Sequence, residues 1–160
     1  MPDKKNVFIS HVHEDDELLP KLKDLIANAG MEVRDGSISS EKPNEAQNED
    51  YIKREILAPR IKWANTLVVL ITPDTADSWW VNWEIDYAAR KDRHVVGVFA
   101  QGATDADIPE ALQRCGDAAI VGWQGERVVD AINGKIRDWD RPESGAPRSP
   151  EWLIKRYSCR

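Results

Sequence analysis

Glu84 is the residue of this sequence best placed to do chemistry. Along a helix its neighbours three and four positions away are Trp80, Val81, Tyr87 and Ala88, none of them basic. Asp86, by contrast, has Arg90 four positions on. A carboxylate on an aromatic stripe with Trp80 and Tyr87 has two readings. One is a boundary side chain reaching past a tryptophan to water. The other is a carboxylate in a partly desolvated, aromatic-lined pocket, able to present negative charge to a developing cation. The spacing alone does not choose between them.

The elements that must position Glu84 follow from the hydrophobic pattern. Val7–Ser10 reads as a buried first strand, and Asp15–Asn28 as a helix with Leu18, Leu19, Leu22, Leu25 and Ile26 at helical spacing. Ala29-Gly30 supplies a helix stop. Met31–Arg34 is a polar strand suited to a sheet edge, and 36–48 is a long polar loop. Glu49–Leu57 reads as a helix stopped near Pro59. Thr66–Ile71, apolar on both faces, is the central strand of a parallel sheet. A turn at Pro73–Ser78 leads into a helix over Trp79–Lys91. His94–Ala100 and Ala118–Val121 are the last two strands, joined by an irregular 101–117 link, and Arg127–Asp138 is the last helix.

This alternation predicts an α/β fold: a five-stranded parallel sheet in the flavodoxin-like order 2-1-3-4-5, with helices on both faces. Ligands of such sheets bind outside the carboxyl ends of the strands, where the order reverses between strands one and three. Ser10-His11, 72–80 and the overhanging 36–48 loop meet there. Residues 1–140 form one domain. Residues 141–160 are a Pro-rich linker and a short appendage carrying Trp152, Leu153, Ile154 and Tyr157.

Composition removes several classes. A net charge of −6 argues against a nucleic-acid partner, which needs a basic face. The start is charged, and no apolar run approaches the length of a membrane span. Two distant cysteines, Cys115 and Cys159, fit reduced thiols and a cytoplasmic location. His11-Val12-His13-Glu14-Asp15 matches an HxHxD zinc-ligand pattern, but Asp16 stands where a further histidine would complete a dinuclear site. The remaining histidine, His94, begins a strand at the opposite end of the sheet, so no metal is expected. A phosphorylation receiver shares the topology, and Glu14–Asp16 with Asp74 resemble its acidic set. The fifth strand, however, is followed by Gly122-Trp123-Gln124, without the lysine that would bind a phosphoryl oxygen.

The segment Ser78-Trp79-Trp80-Val81-Asn82-Trp83-Glu84 resembles the Ser-x-Trp-Cys-x-x-Glu segment of TIR domains, with Val81 where cysteine is usual. Val7-Phe8-Ile9-Ser10-His11 resembles the TIR first strand. Five further stretches are similar to the bacterial TIR-like proteins of Thoeris antiphage systems, the ThsB type. They are the His11–Asp15 region, Glu32-Val33-Arg34-Asp35, Asn48-Glu49-Asp50-Tyr51-Ile52, Pro59-Arg60-Ile61 and Val81-Asn82-Trp83-Glu84-Ile85. Together the resemblance covers about residues 6–137.

The resemblance implies an enzyme that cleaves NAD+ between nicotinamide and ribose. NAD+ is then the substrate, and no cofactor is needed. The ADP-ribose part becomes a signal, cyclic or conjugated, that activates an effector protein during phage infection. It implies that Glu84 is catalytic. Phe8 under the pocket, Ser10 and His11 after strand one, Asn48 on the loop and Trp80 beside the ribose or nicotinamide are candidate substrate contacts. It also implies self-association, head to tail and open-ended on activation. The alternative is a TIR domain that acts only as an interaction module.

Overall fold

The computed structural model describes residues 3–12, 15, 17–35, 57–115, 118–136 and 139–140. The sheet is five-stranded and parallel throughout, in the order β2-β1-β3-β4-β5. Its strands are β1 (Asp3–Ser10), β2 (Met31–Asp35), β3 (Thr66–Ile71), β4 (His94–Phe99) and β5 (Ala119–Val121). The helices are α1 (Leu18–Asn28), α2 (Ala58–Trp63), α3 (Trp79–Arg90), α4 (Glu110–Arg114) and α5 (Gly125–Ile132). The sequence reading of order and direction therefore holds.

β1 starts at Asp3, four residues earlier than its apolar run. Asp3 to Val7 pair with Met31 to Asp35 of the edge strand, while Val7 to Ser10 pair with Thr66 to Val69. This stagger carries the end of β1 beyond β2 and leaves Ser10 beside β3.

Alternation then sorts the side chains. Val7, Ile9, Val68 and Leu70 pack with Leu22, Ile26, Val128 and Ile132 of α1 and α5. Phe8, Leu67, Val69 and Ile71 pack with Ile61, Val81, Ile85 and Leu112 of α2, α3 and α4. Ser10, two residues after Phe8, thus belongs to the α3 face. All six residues of β3 are buried, as a central strand covered on both sides requires.

Several boundaries differ from the sequence reading. Pro59 lies in the first turn of α2, a position that needs no amide donor from it. The region expected as a helix over 49–57 lies outside the described residues, apart from Leu57. α1 begins at Leu18 rather than Asp15, because Asp15 turns back: its amide donates to Val12 O and its carboxylate accepts from Thr72. The 101–117 link contains a 3-10 turn over Asp105–Asp107, capped by Thr104, and the five-residue α4.

α5 covers Gly125–Ile132, not Arg127–Asp138. Gly134, at φ +76°, turns the chain out of the helix. Trp139 then forms a parallel bridge with Ile120 and donates its indole N–H to Ala118 O at 2.9 Å. The buried Asp140 carboxylate accepts from Arg127, through Nε at 3.1 Å and through Nη2, and from the Gly122 amide at 3.2 Å. The linker and appendage at 141–160 lie outside the described residues.

Candidate active site

α3 carries the site, and its start is fixed by two side chains. Ser78 caps the helix by accepting from the Val81 amide at 3.2 Å. Asn82 donates through Nδ2 to Ala76 O at 3.1 Å and Ser78 O at 2.9 Å, and its Oδ1 accepts from the Ala111 amide at 3.0 Å. One amide thereby joins the 72–78 turn, α3 and α4.

The residues α3 buries are Val81, Glu84, Ile85 and Ala88. This is the i, i+3, i+4, i+7 stripe of a core-facing helix, with a carboxylate in one of its apolar positions. Glu84 is 1% exposed, so it does not reach past Trp80 to water. Ser10 Oγ donates to Glu84 Oε1 at 2.7 Å. Among the described residues Glu84 Oε2 is buried without a hydrogen-bond partner.

Burial pushes the Glu84 carboxyl well above its ordinary value of 4.5, because desolvation penalises the charged form. The Ser10 hydroxyl opposes this, and the Trp80 indole opposes it less. The balance is a carboxyl that holds its proton where an exposed glutamate has lost it.

Phe8, Ile9, His11, Leu57, Trp80 and Glu84 line a cavity of about 10 Å³, room for one water. Phe8, Ser10, His11 and Trp80 are therefore brought to Glu84 as the sequence reading placed them. Asn48 lies outside the described residues. Tyr87 belongs elsewhere: it stacks on Trp83, with ring centroids 5.0 Å apart. Trp80 pairs edge-on with Trp79 at 5.3 Å. Asp86, read as the partner of Arg90, instead meets Arg114 at 3.1 Å, while Arg90 Nε donates to the Asp86 carbonyl.

Beside the cavity the ends of β1 and β3 are tied by a buried cluster. Thr72 Oγ1 donates to the Asp15 carboxylate. The Thr72 amide donates to Thr75 Oγ1 at 2.9 Å, and Thr75 Oγ1 donates to Leu70 O at 3.1 Å. The sequence reading placed 72–80 at the crevice but gave neither threonine a role of its own. The signal was two threonines spaced three apart at the end of the most apolar strand, a place where a buried hydroxyl must find a partner.

The two described ends of the HxHxD pattern are both engaged within the fold. Asp15 holds Thr72, and His11 Nδ1 lies 3.1 Å from Ile9 O, which only accepts, so Nδ1 is the protonated nitrogen. His94 Nε2 donates to Ala131 O at 2.6 Å, on the α5 side of the sheet.

A parallel 2-1-3-4-5 sheet with a buried glutamate on the helix after β3, facing the carboxyl end of β1, defines a TIR-type α/β domain. The family model described as "Thoeris protein ThsB, TIR-like domain" matches residues 8–105, more than half of the chain, and the chain belongs to that family. The match includes every described residue of the Glu84 cavity. No curated protein matches the chain. Among solved structures the chain is similar to the "Structure of Clostridium botulinum CMP N-glycosidase, BcmB". The identity is 13% over 77% of this chain and 93% of that one, with a TM-score of 0.47. Among the described residues no helix is long and apolar enough to cross a membrane.

Proposed function

We propose that the chain is an NAD+-cleaving enzyme whose product is an ADP-ribose-derived signal in antiphage defence. The observation that carries this reading is Glu84: a buried carboxyl, held on one oxygen by Ser10 and unpartnered on the other, at the switch point of the sheet. Membership of the ThsB TIR-like family supports it.

The chemistry suits a single carboxylate. The bond between the ribose anomeric carbon and the nicotinamide nitrogen breaks, and its electron pair leaves with nicotinamide. Because that base departs neutral, no general acid is required. The ribosyl fragment becomes an oxocarbenium-like cation, as in glycoside cleavage. A nucleophile, water or a group of the same or another molecule, then bonds to the anomeric carbon, and an oxygen nucleophile loses its proton. Glu84 stabilises the cation, and Oε2 accepts a ribose hydroxyl. Protonated Glu84 has no charge to offer. The bound nicotinamide ring is itself a cation, and an opposite charge nearby lowers a carboxyl's pKa. Substrate binding therefore favours the charged form that catalysis uses.

Ser10, His11, Trp80 and Phe8 are the substrate contacts of this reading; Asn48, which lies outside the described residues, joins them on the family resemblance alone. The reaction consumes NAD+ and takes no cofactor. A non-catalytic interaction module is the second reading, and one observation favours it: a cavity of about 10 Å³ admits no ribose as it stands. Incubating purified protein, alone and crowded, with NAD+ and measuring free nicotinamide separates the two.

A further inference from the structure

We infer that Trp79 controls access to Glu84 by holding Trp80 where it closes the cavity; the catalytic consequence rests on the proposed NAD+ reading, whereas the closure itself is geometric. The space that Glu84 lines has, among the described residues, room for one water. Of the side chains lining that space, Phe8, Ile9, Leu57 and Glu84 are at most 2% exposed and His11 is 9% exposed. Trp80 alone among them reaches the surface appreciably. Opening through the first four means disrupting the core. Opening through Trp80 means turning one half-buried side chain away from the core edge and from Glu84.

The backbone under Trp80 is not the part that moves. Ser78 caps the helix start, and the three hydrogen bonds of Asn82 fasten that turn to α4. The indole packs against the core edge and meets Glu84, and on its outer side the Trp79 ring meets it edge-on, at 63° between planes and 5.3 Å between centroids. Trp79 is 43% exposed and does not line the cavity. It is a positioning residue, acting on the site through Trp80. Its exposed face is also the place where a contact from outside can shift the pair and open the site. An edge-on aromatic pair weights the closed arrangement by about two- to tenfold, a bias that a partner surface can overcome.

The test labels carboxyl groups of the folded full-length chain with a water-soluble carbodiimide and glycine ethyl ester, read by peptide mass spectrometry. Nicotinamide release from NAD+ is measured on the same samples. Asp140, buried against Arg127, is the internal reference, and Glu126 is an exposed one. In the parent protein Glu84 and Asp140 should both be protected relative to Glu126. Trp79→Ala should raise Glu84 labelling about two- to tenfold and leave Asp140 protected, and nicotinamide release should rise in step. Trp80→Ala should expose Glu84 further. Increased Glu84 labelling with no nicotinamide from any variant upholds the closure and removes the NAD+ reading instead. Glu84 labelling unchanged in Trp79→Ala, or rising only together with Asp140, overturns the inference. So does continued protection of Glu84 in Trp80→Ala.

Discussion

Ser10 and Glu84, 74 positions apart in sequence, share a buried hydrogen bond of 2.7 Å that joins the end of β1 to the middle of α3. Among the described residues it is the closest hydrogen bond of the Glu84 carboxyl, with the Trp80 indole a weaker neighbour, and both favour the charged form. Ser10→Ala removes it and leaves a second buried oxygen unpaired, which costs about 1–3 kcal/mol of stability. Under the proposed function, NAD+ cleavage should also fall about tenfold or more, because hydrogen bonds to charged groups contribute about 1.5–3 kcal/mol. Denaturant unfolding and nicotinamide release measure the two effects. A variant with unchanged stability would show that this bond does not hold the site together.

The elevated pKa of Glu84 has a signed consequence. Its folded value lies above the ordinary 4.5, so the folded chain keeps a proton that the unfolded chain has released. Stability from this group is complete below the unfolded pKa and is lost as pH rises through the folded pKa. Each unit of elevation corresponds to about 1.4 kcal/mol. Glu84→Gln removes this dependence. Its stability relative to the parent should be lowest near about pH 4 and increase as the pH rises past 4.5. Calorimetric scans of both proteins across that window measure it. Parallel pH profiles would mean that Glu84 titrates as an exposed glutamate does.

Two glycines mark where helices approach too closely for a side chain. A Cβ on Gly97 would sit 2.9 Å from Leu112 Cδ2 and 3.0 Å from Ile71 Cδ1; on Gly125 it would sit 2.7 Å from the Leu25 carbonyl oxygen. Gly97→Ala should cost about 1–3 kcal/mol. Gly125→Ala should cost at least as much, since a backbone oxygen yields less readily than a leucine methyl. Chemical denaturation is the measurement, and neither variant should alter Glu84 labelling while folded.

Much of this fold is legible because its period is simple. Thr66–Ile71 is apolar on every residue and is the central strand; Trp79 begins a helix because Ser78 caps it. The last helix was read as running to Asp138, whereas Gly134 turns the chain, and Trp139 and Asp140 pair with Ile120 and Arg127, contacts that local spacing does not show. Asp86 was misassigned for a similar reason: local spacing favours Arg90, and only the packing of α4 on α3 brings Arg114 within reach. Glu84 was read on an aromatic stripe with Trp80 and Tyr87, of which only Trp80 lines the cavity; the Val81, Glu84, Ile85, Ala88 stripe that places the carboxyl inside the core went unread. The Ser10 contact follows from the β1 alternation, yet it needs the strand order before it can be read.

Self-association is the fourth prediction. The 36–48 segment, read from the sequence as a long polar loop, follows the edge strand β2 in the chain. We propose head-to-tail contacts through it, which would generate open arrays rather than closed dimers. Dilute protein should then be nearly inactive, with activity rising faster than linearly with concentration. Pro43→Gly with Asn44→Gly should lower activity in a way that more protein partly restores. Constant specific activity across about a hundredfold dilution, far more than one association equilibrium spans unseen, with the protein monomeric by light scattering, would show that each chain holds a complete site.

The central claim is that Glu84 cleaves NAD+, and the most direct measurement compares nicotinamide release by the parent protein and by Glu84→Gln at equal, high concentration. Glutamine keeps the size of the side chain and an oxygen to accept from Ser10, so the fold should persist, as circular dichroism will report. Removing a charge aimed at a transition-state cation costs about 3 kcal/mol or more, a hundredfold in rate or greater. The account predicts measurable release by the parent and nearly none by the variant. Equal release by both proteins would contradict it.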